Sequence, residues 1–217
     1  MQSDTALQHA IIDELGWDTS IDAAAIGVAV LDGVVTLTGE VRSLAAKWAA
    51  EQAAKRVAGV RGVANDIAIC LPSESQRTDA DIARAALNAL EWDIRVPHQR
   101  VTVTVSAGSV TLEGEVDTPH QKHAAERVIR HLTGVTGVVN LLSTKAATLP
   151  ADVKAKIMAA FQRNAVIDAQ RIQVELRGNQ AILRGRVRSW AERDIADDTA
   201  RAAPGVTSVV DLLTIEP

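Results

Sequence analysis

One pattern, written three times, constrains this chain more than any single residue does. Val35-Thr36-Leu37-Thr38-Gly39-Glu40-Val41 returns as Val110-Thr111-Leu112-Glu113-Gly114-Glu115-Val116, and a looser copy runs Ala181-Ile182-Leu183-Arg184-Gly185-Arg186-Val187. Twenty residues after each internal glycine comes a Gly-Val pair: Gly59 after Gly39, Gly134 after Gly114, Gly205 after Gly185. The copies are 75 and then 71 residues apart, too long for a solenoid unit and suited to a small domain. The sequence therefore predicts three tandem mini-domains, 1–72, 78–146 and 149–217, joined by linkers 72–77 and 145–149. Linkers this short permit little independent tumbling, so the units are expected to form one body or a fixed arc.

Each unit opens with helical spacing: Leu7, Ala10, Ile11 and Leu15 in the first, Ile82, Ala85, Ala86 and Leu90 in the second. Thr78 is an N-cap candidate, and Pro150 suits the first turn of the third copy. The period then becomes two, as in Ile26, Val28 and Val30, in Val101, Val103 and Val105, and in Ile172, Val174 and Leu176. Asp32-Gly33, Ala107-Gly108 and Gly178-Asn179 follow as hairpin turns. A second helix begins at Ser43, at Thr118-Pro119-x-Gln121 and at Ser189-x-x-Glu192, the last two with the spacing of a capping box, and is expected to end at Gly59, Gly134 or Gly205. A final strand carries Val63, Ile67 and Ile69 and their counterparts. It must run parallel to the second, because a helix crosses between them. The predicted fold is α+β: three α-β-β-α-β units, each a three-stranded mixed sheet covered on one face by two helices.

That order, the glycine inside the second strand and the Gly-Val entry to the third resemble the BON domain (bacterial OsmY and nodulation), three times over nearly the whole chain. The third copy departs most, with Ala181-Ile182 in place of Val-Thr. The resemblance implies a non-catalytic protein that binds phospholipid membranes or other partners, in envelope and osmotic-stress settings.

The residues suggest no chemistry that would contradict it. No catalytic constellation is legible, and no cofactor or metal is expected. His120 and His123 have an i, i+3 spacing that can present two metal ligands, but no third ligand is legible, and the other copies carry Ala45, Trp48, Ala191 and Asp194 there. The single Cys70 excludes an intrachain disulfide framework and reads as an inert thiol at a strand end. A net charge of −4 gives no basic surface for nucleic acid. The first residues form no signal peptide, so a cytoplasmic location is expected, or a periplasmic one if a signal has been removed.

Binding surfaces are the remaining question. Trp17 and Trp92 are equivalent and both close a first helix, where the third copy has Arg163 and half-exposure is expected. Trp48 falls off the apolar stripe of Ala50, Ala53 and Val57, which suits either a contact between repeats or an anchor at a lipid headgroup layer. On the bare sheet faces, Glu113 and Glu115 in repeat two have Arg184 and Arg186 as counterparts in repeat three, with Arg188 continuing the phase. Leu141 and Leu212 also point outward. Two uses follow: faces that pack together within or between chains, giving a homo-oligomer that serves as a protein-interaction scaffold or small-ligand carrier, or Trp48 and the arginines as a patch for anionic phospholipid. Gly39, Gly59, Gly114, Gly134, Gly185 and Gly205 are read as structural.

Overall fold

A computed structural model describes residues 3–145 and 152–216. The expected helix start at Pro150 and most of the second linker lie outside the described residues. Repeat one comprises α1 (Asp4–Trp17), β1 (Ile26–Leu31), β2 (Val34–Val41), α2 (Leu44–Arg56), β3 (Gly62–Asn65) and β4 (Ala68–Ile69). Repeat two follows with α3 (Asp79–Trp92), β5 (Val101–Ser106), β6 (Ser109–Val116), α4 (Pro119–Arg130), β7 (Gly137–Asn140) and β8 (Ser143–Thr144). Repeat three has α5 (Val153–Arg163), β9 (Ile172–Arg177), β10 (Gln180–Val187), α6 (Trp190–Arg201) and β11 (Ser208–Ile215). The hairpin strands are antiparallel and the last strand of each unit is parallel to the central one, as the α+β reading requires.

Each unit has its own core. Leu7, Ile11 and Leu15 recur every fourth residue on α1 and meet Val35 and Leu37 from β2 and Ala50, Ala53 and Ala54 from α2. The small alanines let α2 lie close on the sheet, and repeats two and three repeat the scheme, the latter with Phe161 fully buried. Two polar devices pin the elements. Asp4 at the start of α1 accepts from the N–H groups of Asp32 and Gly33 at 2.9 and 3.1 Å, and Asp79 does the same for Ala107 and Gly108 at 2.9 Å each. These are the turn residues with positive φ, so one carboxylate ties a helix start to a hairpin turn. Asn65 donates to the Lys47 carbonyl and accepts from the Ile67 N–H, breaking the last strand into β3 and β4. Asn140 breaks repeat two's last strand in the same way, whereas Asp211 stands there in repeat three and β11 runs unbroken.

Three details depart from the sequence reading. The second helices stop at Arg56, Arg130 and Arg201, and Gly59, Gly134 and Gly205 take their left-handed conformation in the turn beyond. Thr118 and Gln121 form a full capping box, but Glu192 completes only half of one. Its carboxylate, 1% exposed, instead accepts from the N–H groups of Asp168 and Arg188 at 2.7 Å, donors that would otherwise be orphaned. Ile182, which the strand alternation places in the same outward phase as Arg184 and Arg186, is buried between its strand partners Glu175 and Val210.

The repeats join through their second helices. Arg130 of repeat two covers the Trp48 ring of repeat one at 4.7 Å, Lys55 of repeat one acts on Asp194 of repeat three, and Arg201 of repeat three acts on His123 of repeat two. Lys55, Arg130 and Arg201 are equivalent positions, as are Trp48, His123 and Asp194. Leu44 packs on the core of repeat two and its counterpart Trp190 on the core of repeat one. Each repeat thus meets the next through the same positions, and the third contact returns to the first. Head-to-tail contacts that close in this way make a ring about a pseudo-threefold axis. Equivalent positions therefore lie on the same side of the ring.

Candidate functional site

Trp48 sits in a junction between repeats, half-exposed beneath Arg130, and is not beside the arginines of repeat three. Those arginines are engaged locally: Arg184 with Glu175 at 3.9 Å, Arg186 with Glu216 at 2.9 Å and Arg188 with Glu192 at 3.5 Å. A row of like charges on one strand finds its counter-charges on the nearest element, and here these belong to the same repeat. Glu113 and Glu115 have no ion pair among the described residues. Leu141 and Leu212 remain exposed, so the bare faces of repeats two and three do not pack on each other within the chain. Gly39, Gly114 and Gly185 have φ of 116°, 129° and 126°, where a bend of the central strand brings it against the residue before the first strand.

The exposed aromatics lie elsewhere. Trp17 and Trp92, at the ends of α1 and α3, are 84% and 88% exposed, and Ile94 is 99% exposed. The sequence showed their equivalence but led to an expectation of half-exposure. Because the positions are equivalent, the two tryptophans and Arg163 stand on one side of the ring. Among the described residues no helix is long and apolar enough to cross a membrane, and no cluster of His, Cys, Asp and Glu could hold a metal. Cys70 is exposed, and the neighbouring Glu40 carboxylate raises its thiol pKa, which favours the protonated form.

Behind Trp92, Asp93 accepts from both Nε and Nη2 of Arg95, at 2.8 and 2.5 Å, and this guanidinium, with lesser help from Arg127, holds the Asp93 carboxyl down to about 2. A depressed carboxylate contributes stability above its unfolded pKa, here near 3.8, and loses it as pH falls toward about 2. Asp93→Asn is therefore expected to lower stability near neutral pH by ~1 kcal/mol, discounted for solvent screening. The variant and the parent should converge in urea melts taken below that window. Equal stability at neutral pH would show the pair to be energetically silent.

Two crevices open between repeats. One, of about 350 Å³, is lined by Trp48, Gln52 and Lys55 of repeat one with Trp190, Ala191 and Asp194 of repeat three. Burial pushes the Asp194 carboxyl up, and Lys55 opposes that rise. The other, of about 370 Å³, lies between repeats two and three, where Arg95, His120, His123 and Arg127 meet Asp198 and Arg201. Only the histidines of this group were singled out from the sequence. The arginines come from three separate elements, and no local pattern links them. A larger hollow of about 1010 Å³ runs between α5 and β9, over Met158, Ile167 and Val174, but its Arg184 already pairs with Glu175.

Comparison with known proteins agrees with this repeat structure. The chain is 31% identical over 147 residues to osmotically-inducible protein Y of Escherichia coli (strain K12), covering 65% of this chain and 73% of that one. It is 27% identical over 123 residues to a protein of the gshII 5' region of Anaplasma centrale, covering 54% of this chain and 82% of that one. Among solved structures, the C-terminal domain of CdsD, a structural protein of the type III secretion system of Chlamydia trachomatis, aligns with 99% of this chain and 100% of its own at 14% identity. The TM-score is only 0.26, so nothing about the arrangement follows from it. The BON domain model matches residues 3–70, 78–146 and 151–217, and the chain belongs to the BON domain family, with three tandem copies closed into a ring.

Proposed function

We propose that this protein is a non-catalytic binding protein that docks on anionic phospholipid surfaces in osmotic-stress protection. The observation that carries the reading is the pair of equivalent, almost fully exposed tryptophans, Trp17 and Trp92, on one side of a ring that uses neither in its cores. An indole with one apolar body and one N–H donor suits the boundary between lipid headgroups and acyl chains. This moves the anchor from Trp48, which the Arg130 contact occupies, to the helix ends. The name of the relative from Escherichia coli supports the osmotic setting.

Co-sedimentation with phosphatidylglycerol and with phosphatidylcholine vesicles, at low and high salt, tests it. Selective pelleting with the anionic vesicles is expected, weakened about thirtyfold or more by the Trp17→Ala/Trp92→Ala double variant, each buried indole supplying roughly 1 kcal/mol or more. Because both side chains are exposed, the melting temperature should not move. No pelleting in any condition would remove the membrane role.

Self-association through the bare sheet faces is a second reading, favoured by exposed Leu141 and Leu212 beside oppositely charged strands. It concerns contacts between chains. Glu115→Arg should then change the sedimentation coefficient, and adding Arg186→Glu should restore it. A coefficient unchanged by the charge reversal would exclude this use of the faces.

A further inference from the structure

The pseudo-threefold ring supplies an internal control for its own crevices. The three junctions are built from the same positions, so whatever differs between them is not demanded by the fold. Between repeats one and two the place is filled by the Trp48 ring beneath Arg130. Between repeats three and one, Ala191 and Asp194 face Lys55, and the Trp190 ring closes the side. Between repeats two and three the equivalent positions carry His120 and His123 facing Arg201, and Arg127 stands where repeat one has Gln52. Arg95, where repeat one has Ser20, completes the wall. One junction alone has exchanged alanine, carboxylate, amide and hydroxyl for nitrogen donors, around a hollow about as large as the one between repeats three and one.

We propose that the crevice between repeats two and three, lined also by His120 and His123, is a binding site for a phosphate monoester, held by Arg127, Arg95 and Arg201. The volume of about 370 Å³ lies in the range of small-molecule pockets. Two of the guanidiniums are already oriented. Arg95 spends Nε and Nη2 on Asp93, and Arg201 spends the same two nitrogens on Asp197. Each keeps further N–H donors in a fixed plane for phosphate oxygens. The Arg127 side chain has no hydrogen bond or ion pair among the described residues, and its charge acts on the nearby Asp93 carboxyl. Asp198 in the lining opposes an anion, and Asp93 and Asp197 balance Arg95 and Arg201. The pull on a phosphate therefore comes from Arg127 and from the guanidinium N–H groups not already spent rather than from an excess of charge. The His123 ring supports the same sense. It is held below the ordinary histidine pKa by partial burial and then by Arg201, against the upward pull of Glu126, Asp198 and Asp197, and an entering anion would offset both of the depressing effects. A cation fits the site poorly, since the residues that surround His123 bring guanidiniums rather than further ligands.

The site stands apart from the membrane reading, which rests on Trp17 and Trp92. Its ligand could be a free phosphate monoester or the monoester headgroup of phosphatidic acid, and the test separates the two. Isothermal titration of the full chain with glycerol 3-phosphate, and with glycerol as the neutral counterpart, is the first arm. Flotation with vesicles containing phosphatidic acid or, at matched charge, phosphatidylglycerol is the second. Arg127→Gln installs the residue that repeat one carries at this place, so the ring is expected to fold with an unchanged melting temperature. Binding of glycerol 3-phosphate that Arg127→Gln weakens about tenfold, the loss of one charge-assisted contact, supports the site with a soluble ligand. Gln52→Ala, in the counterpart crevice, should leave that binding unchanged. Preference for phosphatidic acid that depends on Arg127, without binding of the soluble ester, supports it with a lipid ligand. Absence of both, or binding that Arg127→Gln leaves intact, overturns the proposal. Vesicle binding that depends on the tryptophans but not on Arg127, without Arg127-dependent binding of the soluble ester, would overturn it while leaving the membrane reading in place.

Discussion

Gly114→Ala is expected to unfold repeat two, lowering its stability by more than ~3 kcal/mol, the sum of a strained backbone and a steric clash. Gly114 has φ of 129°, outside the regions open to residues with a Cβ. A Cβ built there would lie 2.0 Å from the Arg100 carbonyl oxygen and 3.1 Å from its carbon. Both are backbone atoms, so no rotamer change relieves the overlap. The carbonyl belongs to the residue just before β5, and retreat would break the register in which Val101 pairs with Gly114. Gly39 and Gly185 meet Ala25 and Arg171 in the same way, at 2.1 and 2.0 Å. Gly16 near the end of α1 provides the contrast, with nothing within 4 Å of its added Cβ. There alanine should be neutral or stabilise by up to ~1 kcal/mol, because glycine is the poorer helix former. Urea unfolding followed by circular dichroism and limited proteolysis would compare the two. A Gly114→Ala protein within ~0.5 kcal/mol of the parent would sink the steric account.

Trp190→Ala is expected to open the ring between repeats three and one at a cost of roughly 2–4 kcal/mol, somewhat below the range for fully buried aromatics because the ring is only partly buried. The side chain leaves α6 at its first residue, packs on the core of repeat one and donates its indole N–H to the Val60 carbonyl at 3.0 Å. Lys55 and Arg193 lie over the ring at 5.1 and 4.9 Å. Truncation removes the packing and leaves a carbonyl to find water. Each repeat keeps its own core, so helix content should persist while the radius of gyration rises. Small-angle scattering and a thermal melt read these separately. An unchanged radius together with an unchanged melt would show that the ring does not depend on this contact.

Trp190 illustrates what sequence reading misses. Its counterparts are Leu44 and Pro119, so no aromatic recurs to draw attention. The available signal was weaker: an apolar residue at the first position of all three second helices, a place normally open to solvent. Trp48 was recognised as lying off the apolar stripe, but its Arg130 partner is 82 positions away and no periodicity reaches that far. The arginine ladder of repeat three was correctly placed on an outward phase, yet the counter-charges of Arg186 and Arg184 lie on Glu216 and Glu175, brought close by strand pairing. Asn65 and Asn140 also went unnoticed, because an amide that ends a strand looks from sequence like any polar residue before an apolar one.

Element order, strand direction and the inward faces of the helices and central strands were determined by the sequence itself. Those properties depend on spacings of two to four residues and on turn residues that tolerate positive φ, so their physics is local, and three copies repeated the same message. Which surfaces join, and what the joints contain, only the tertiary structure decided. A junction is made where positions 78, 82 or 139 residues apart converge, and its chemistry depends on volumes and charges contributed by two repeats at once. One set of positions therefore holds a stacked tryptophan at the first junction, a lysine facing a carboxylate at another, and an open, arginine-lined crevice at the third.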